Sequence, residues 1–262
     1  MKKLIFFLML LVAVTFYSCV DTEEHIVINA DNSGSYTLKI DMSKMMELLN
    51  QMGGASGKAA DKPGLPTKDT IMYFKDMQLD KLTAEERALY KDGYLKVRAD
   101  SVSNQFKIEA GCPFANINQL PEKRKNIFKI SEKLGADKAM KADSNLPDEE
   151  AAGADEDIAG KINPTSNDYA FTASPGKLSY KSIKPAGSAA TPASDSLMQM
   201  MQQMSMLTGD MTIKTIITLP AEPKKLSNPK AQLSADKRTI TFTSTLIELM
   251  EKPGLGEYEI EY

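Results

Sequence analysis

His25-Ile26-Val27-Ile28-Asn29-Ala30-Asp31-Asn32-Ser33-Gly34-Ser35-Tyr36-Thr37-Leu38-Lys39-Ile40 is the stretch that decides the fold class. Apolar and polar residues alternate over His25–Ala30 and again over Ser35–Ile40, where Tyr36, Leu38 and Ile40 share one face. Asp31–Gly34 between them carries turn chemistry. The pattern predicts an antiparallel hairpin with one buried face. The pattern favours a turn over a calcium loop, which needs a longer run of alternating acids and a distant glutamate.

The same signal recurs along the chain. Tyr94–Ala99 and Gln105–Ala110 alternate around a polar turn, Asp100–Asn104, and set Leu95 and Val97 against Phe106 and Ile108. Tyr169–Thr172 and Leu178–Ile183 flank Ser174-Pro175-Gly176, a third hairpin signal. Thr70–Phe74 reads as a short strand. Met211, Ile213, Thr215, Ile217 and Leu219 alternate along another, Pro220–Pro229 reads as a polar crossing, and Ile240–Ser244 follows an Asp236-Lys237 turn. In Gly256–Tyr262, tyrosines and Ile260 alternate with glutamates, which predicts an edge strand whose charges discourage aggregation.

Helical spacing fills the intervals. Met42, Met45, Met46, Leu49 and Met52 fall on one face of a helix starting near Asp41 or Ser43 and stopping at Gly53-Gly54. Gly53–Lys68 then reads as a loop. Thr83-Ala84-Glu85-Glu86 is a capping box, and Gly93 closes the helix it starts. Pro121 opens a helix with Ile127, Ile130 and Leu134 on one stripe and its Lys and Arg residues toward water, ending at Gly135. Leu246–Met250 predicts one more helical turn. The expected fold is α+β: an antiparallel sheet built from hairpins, helices packed on one face, and a disordered acidic insertion.

That insertion is residues 136–165. From Ala136 to Lys161 there are eight acids against three lysines and almost no large apolar side chain, so burial cannot offset chain entropy. It divides a single domain into an N-terminal part, 25–135, and a C-terminal part, 166–262. A second unusual composition follows in residues 197–207, Leu-Met-Gln-Met-Met-Gln-Gln-Met-Ser-Met-Leu. Thioethers at Met200, Met201 and Met204 suit a soft ion such as Cu(I), or a small hydrophobic ligand. The helical spacing of Leu197, Met200, Met201, Met204 and Leu207 favours a core-facing stripe over either ligand and over a partner-binding face.

The first residues give an address. Lys2 and Lys3 precede a thirteen-residue apolar stretch, Leu4–Phe16, the anatomy of a secretory signal peptide. The stretch is shorter than the roughly 20 residues that span a bilayer core, which argues against an uncleaved membrane anchor. Ser18-Cys19 at its end resembles the lipobox of bacterial lipoproteins, although Phe16 and Tyr17 stand where Leu and Ala or Ser are usual. The resemblance implies removal of residues 1–18 and acyl chains, palmitate among them, on Cys19. Val20-Asp21-Thr22-Glu23-Glu24 then looks like the acidic export tag of surface lipoproteins of the Bacteroidota, and residues 19–24 are expected to form a solvated tether. The implied destination is the cell envelope, at the outer membrane, with periplasmic or surface exposure.

The inventory weighs against most chemistries. Loss of residues 1–18 leaves 244 residues and moves the formal charge from −3 to −5, so no basic field attracts nucleic acid. With Cys19 acylated, Cys112 has no disulfide partner and reads as a small buried hydrophobe. His25 is the sole histidine, no Gly-x-Ser-x-Gly elbow or phosphate loop occurs, and Trp is absent. These counts point away from an enzyme and imply neither cofactor nor metal.

Ala30-Asp31-Asn32-Ser33-Gly34-Ser35-Tyr36, with Thr218-Leu219-Pro220, Leu226-Ser227-Asn228 and Thr239-Ile240-Thr241, resembles an uncharacterised bacterial envelope lipoprotein family. Its domains open on an Asp-Gly-Ser-Gly-type hairpin, and Asn32 stands where the pattern has Gly. The likeness covers about a quarter of the chain and implies an envelope lipoprotein with no active site to carry over. Acyl chains on Cys19 are the expected membrane contact, and another envelope protein is the expected partner.

Overall fold

A computed structural model describes residues 21–44, 47, 68–100, 102–135, 169–183, 202, 205 and 209–262. Strands β1 (Asp21–Ile28) and β2 (Gly34–Asp41) form the first hairpin, in register from Asp21 opposite Asp41 to Ile28 opposite Gly34. Its turn depends on Asn32, at φ 64°, a left-handed conformation that asparagine tolerates. β3 (Lys68–Tyr73) starts two residues before the expected strand and stops one before its end. Phe74 instead opens a one-turn helix, because its buried ring packs beneath Gly93 and its amide donates to the Gly93 carbonyl at 2.9 Å.

Helix α1 (Ala84–Tyr90) carries the expected capping box: the Glu86 amide donates to Thr83 Oγ1 at 3.1 Å, and the Thr83 amide to Glu86 Oε2 at 3.0 Å. β4 (Tyr94–Asp100) and β5 (Gln105–Phe114) pair with Leu95 opposite Ala110 and Val97 opposite Ile108. Helix α2 (Leu120–Lys133) follows, and Gly135, at φ 82°, ends its last turn. β6 (Tyr169–Ser174) and β7 (Lys177–Ser182) turn through Pro175 and Gly176, the glycine supplying φ 78°.

The C-terminal strands are β8 (Thr212–Thr218), β9 (Lys225–Leu226), β10 (Gln232–Leu233), β11 (Thr239–Thr245) and β12 (Tyr258–Glu261), with helix α3 (Leu246–Glu251) after β11. α3 starts with a second capping box, Thr245 with Glu248.

The fold is α+β, but the strands divide between two sheets. The larger runs β10-β11-β8-β1-β2-β5-β4-β3 and the smaller β6-β7-β12-β9. All neighbours are antiparallel except β1 and β8, which pair in parallel from Asp21 opposite Thr212 to Val27 opposite Thr218. The hairpin signals foresee none of this, since a parallel pair needs a long crossover and here joins Asp21 to Thr212.

One core lies between the inner face of the large sheet and a layer made by α2 and the small sheet. It includes Ile26, Tyr36, Leu38, Leu95, Ala110, Ile217 and Ile240 on one side and Ile127, Ile130, Leu178, Tyr258 and Ile260 on the other.

Three expectations are corrected. Residues 21–24 are not a tether: they are the first half of β1, with Thr22 and Glu24 buried. β12 is not an edge strand, since β7 flanks it on one side and β9, inside the presumed crossing Pro220–Pro229, on the other. Finally, Lys123 and Arg124 of α2 point inward, at 2% and 4% exposure. α2 is packed against the large sheet, the small sheet and α1, so it buries more of its circumference than a surface helix and the stripe widens past its apolar residues.

Candidate functional site

Period-two alternation along β1 aims Thr22, Glu24, Ile26 and Ile28 at the core, leaving Glu23 and His25 on the outer face. The 3.6 period of α2 puts Leu120, Arg124, Ile127 and Ile130 on the surface that meets them. Glu24 and Arg124 therefore face each other inside the protein. Arg124 Nε donates to Glu24 Oε1 at 2.5 Å and Nη2 to Oε2 at 3.1 Å, while Thr215 of β8 donates its hydroxyl to Oε2 at 3.3 Å.

The guanidinium lies over two adjoining rings of the small sheet, 4.8 Å from the Phe171 centroid and 4.5 Å from that of Tyr180. Tyr180 stacks on Tyr169 at 4.6 Å and leans on Tyr258, which stacks on Phe242 of β11 at 4.8 Å. A continuous aromatic run thus leads from the outer strand of the small sheet across to the large one. Burial by itself would disfavour the charge on Arg124, but the Glu24 carboxylate overrides it and holds the guanidinium well above its ordinary range.

Two phenols border the pair. Burial, reinforced by the Glu24 charge, pushes Tyr36 well up, and burial raises Tyr258 likewise. The Tyr258 hydroxyl has no hydrogen-bond partner among the described residues. Both remain neutral at any physiological pH.

A second inward cation lies one residue away. Lys123 Nζ donates to the Leu89 carbonyl and sits 5.1 Å over the Tyr90 ring. Burial lowers its pKa, with the Cys112 thiol close by. Burial pushes that thiol up to about 11, so Cys112 is a packed, protonated side chain with little nucleophilic character.

His25 and Cys112 stand on opposite faces of the large sheet. His25 meets Glu23, which also accepts from Lys214 at 2.9 Å, and Cys112 faces the core. Among the described residues no three His, Cys, Asp or Glu side chains gather as metal ligands. The most developed polar constellation is therefore a sealed one: both charges compensate each other, aromatic rings close the flanks, and three parts of the fold meet on it.

Sequence reasoning missed Glu24 and Arg124 as partners. The available signal was a glutamate in phase with Thr22, Ile26 and Ile28, and an arginine in phase with Leu120, Ile127 and Ile130. Of the anticipated site residues, Cys19, Met200, Met201 and Met204 lie outside the described residues, as does the insertion 136–165. Both methionine-rich stretches join the large sheet at the same end, one leaving β2 after Asp41 and the other entering β8 at Thr212. Of the second, Gln202 and Ser205 are helical.

No helix among the described residues is long and apolar enough to cross a membrane. No protein-family model and no curated protein matches the chain. Among solved structures, the chain is similar to the folded domain of LppM from Mycobacterium tuberculosis, at 8% identity and a TM-score of 0.35, over 95% of this chain and 94% of that one. At that distance the fold and the site rest on the chain's own geometry.

Proposed function

We propose that this is a lipid-anchored protein of the cell envelope, a non-enzymatic binding or structural module held by acyl chains on Cys19. The observation that carries the reading is the junction at its start. A charged and apolar leader ends at Ser18-Cys19, and one residue, Val20, separates that cysteine from β1, a strand with partners on both sides. A lipid there would be joined to the middle of a rigid sheet. The sealed Glu24–Arg124 pair fits a part in cohesion of that sheet, since a substrate could not reach it without unfolding the domain.

The outer membrane is the favoured destination, and another envelope protein the favoured partner. Because Glu24 is buried in the folded domain, an export factor reading residues 20–24 would have to meet them before folding. Metabolic labelling with an alkynyl palmitate tests the anchor. Labelled protein in the membrane fraction is expected, with both label and fractionation lost in Cys19→Ala; label retained in that variant refutes the reading. Protease treatment of intact cells then distinguishes surface from periplasm.

A further inference from the structure

We draw no further inference here: the strongest candidate, the outer face of the large sheet beside its β3 edge, where Ile71 and Tyr73 are 47% and 49% exposed and the Tyr94 ring lies against Gly111, is an unpartnered sheet face, and nothing in the structure shows what covers it.

Discussion

Glu24 and Arg124, separated by 100 residues of chain, meet in a two-point ion pair with side chains 1% and 4% exposed. The pair ties the first strand after the proposed anchor to α2, and through Phe171 and Tyr180 to the small sheet. Breaking it on one side strands an uncompensated charge in the core. Glu24→Leu or Arg124→Met alone is therefore expected to cost about 3–5 kcal/mol, whereas the two together recover most of the loss. Urea unfolding of the four proteins, made on an acyl-free Cys19→Ala background, completes the cycle. Single-variant costs no larger than those of surface substitutions would show that the pair is not a lock.

Glu259 on the outer face of the small sheet offers a pH readout. Hydrogen bonds from Lys177, Lys225 and Lys181 hold its carboxyl down at about 2, from an ordinary value of 4.5. A depressed folded-state pKa contributes stability that is complete above about 4.5 and is lost as pH falls toward about 2. The stability difference between the native chain and Glu259→Gln should thus narrow across that window and shrink in high salt, because the lysines are exposed. Carboxyl NMR titration of Glu259 gives the midpoint directly, and a midpoint near 4.5 would contradict the ion cluster.

The Cys112 thiol should be silent in the folded protein. It is 2% exposed and its pKa stands at about 11, so an aromatic disulfide reagent at neutral pH finds neither access nor thiolate. In the Cys19→Ala background, the reaction is expected to proceed at the rate of unfolding and to become fast in denaturant. Rapid stoichiometric labelling without denaturant would place the thiol elsewhere.

Gly34 is required by packing. A Cβ there would lie 1.9 Å from the Val27 carbonyl oxygen and 2.4 Å from the Phe114 ring. Gly34→Ala is expected to destabilise by about 1–3 kcal/mol, measured by thermal or urea unfolding. Adding Phe114→Leu makes room on the ring side only. The double variant should recover little, because the backbone oxygen cannot withdraw without parting β1 from β2.

The hairpins were legible because their signals are local. Asp31–Gly34, Asp100–Asn104 and Pro175-Gly176 carry turn chemistry beside period-two strands, and Thr83 with Glu86 makes a cap within four residues. The candidate site was not legible on the same terms. Glu24 looked like part of an acidic tether because Asp21 and Glu23 lie beside it, and only its phase with Ile26 and Ile28 distinguishes it. Arg124 looked solvent-facing because α2 also carries Lys125 and Lys129, which are exposed. A charge is assigned to water by default, and its partner's position is what overturns the assignment.

By itself the sequence determined the α+β class, the three hairpins and the capped helix, all through interactions that span a few residues. Tertiary structure alone decided that Asp21–Glu24 opens a central strand and that β8 pairs with it in parallel. It likewise assigned β12 to a second sheet and buried Lys123 and Arg124. Those outcomes depend on pairing and desolvation between segments as far apart as Glu24 and Thr215. Their free energy is set by which neighbours exclude water, and residue type and spacing carry no record of that.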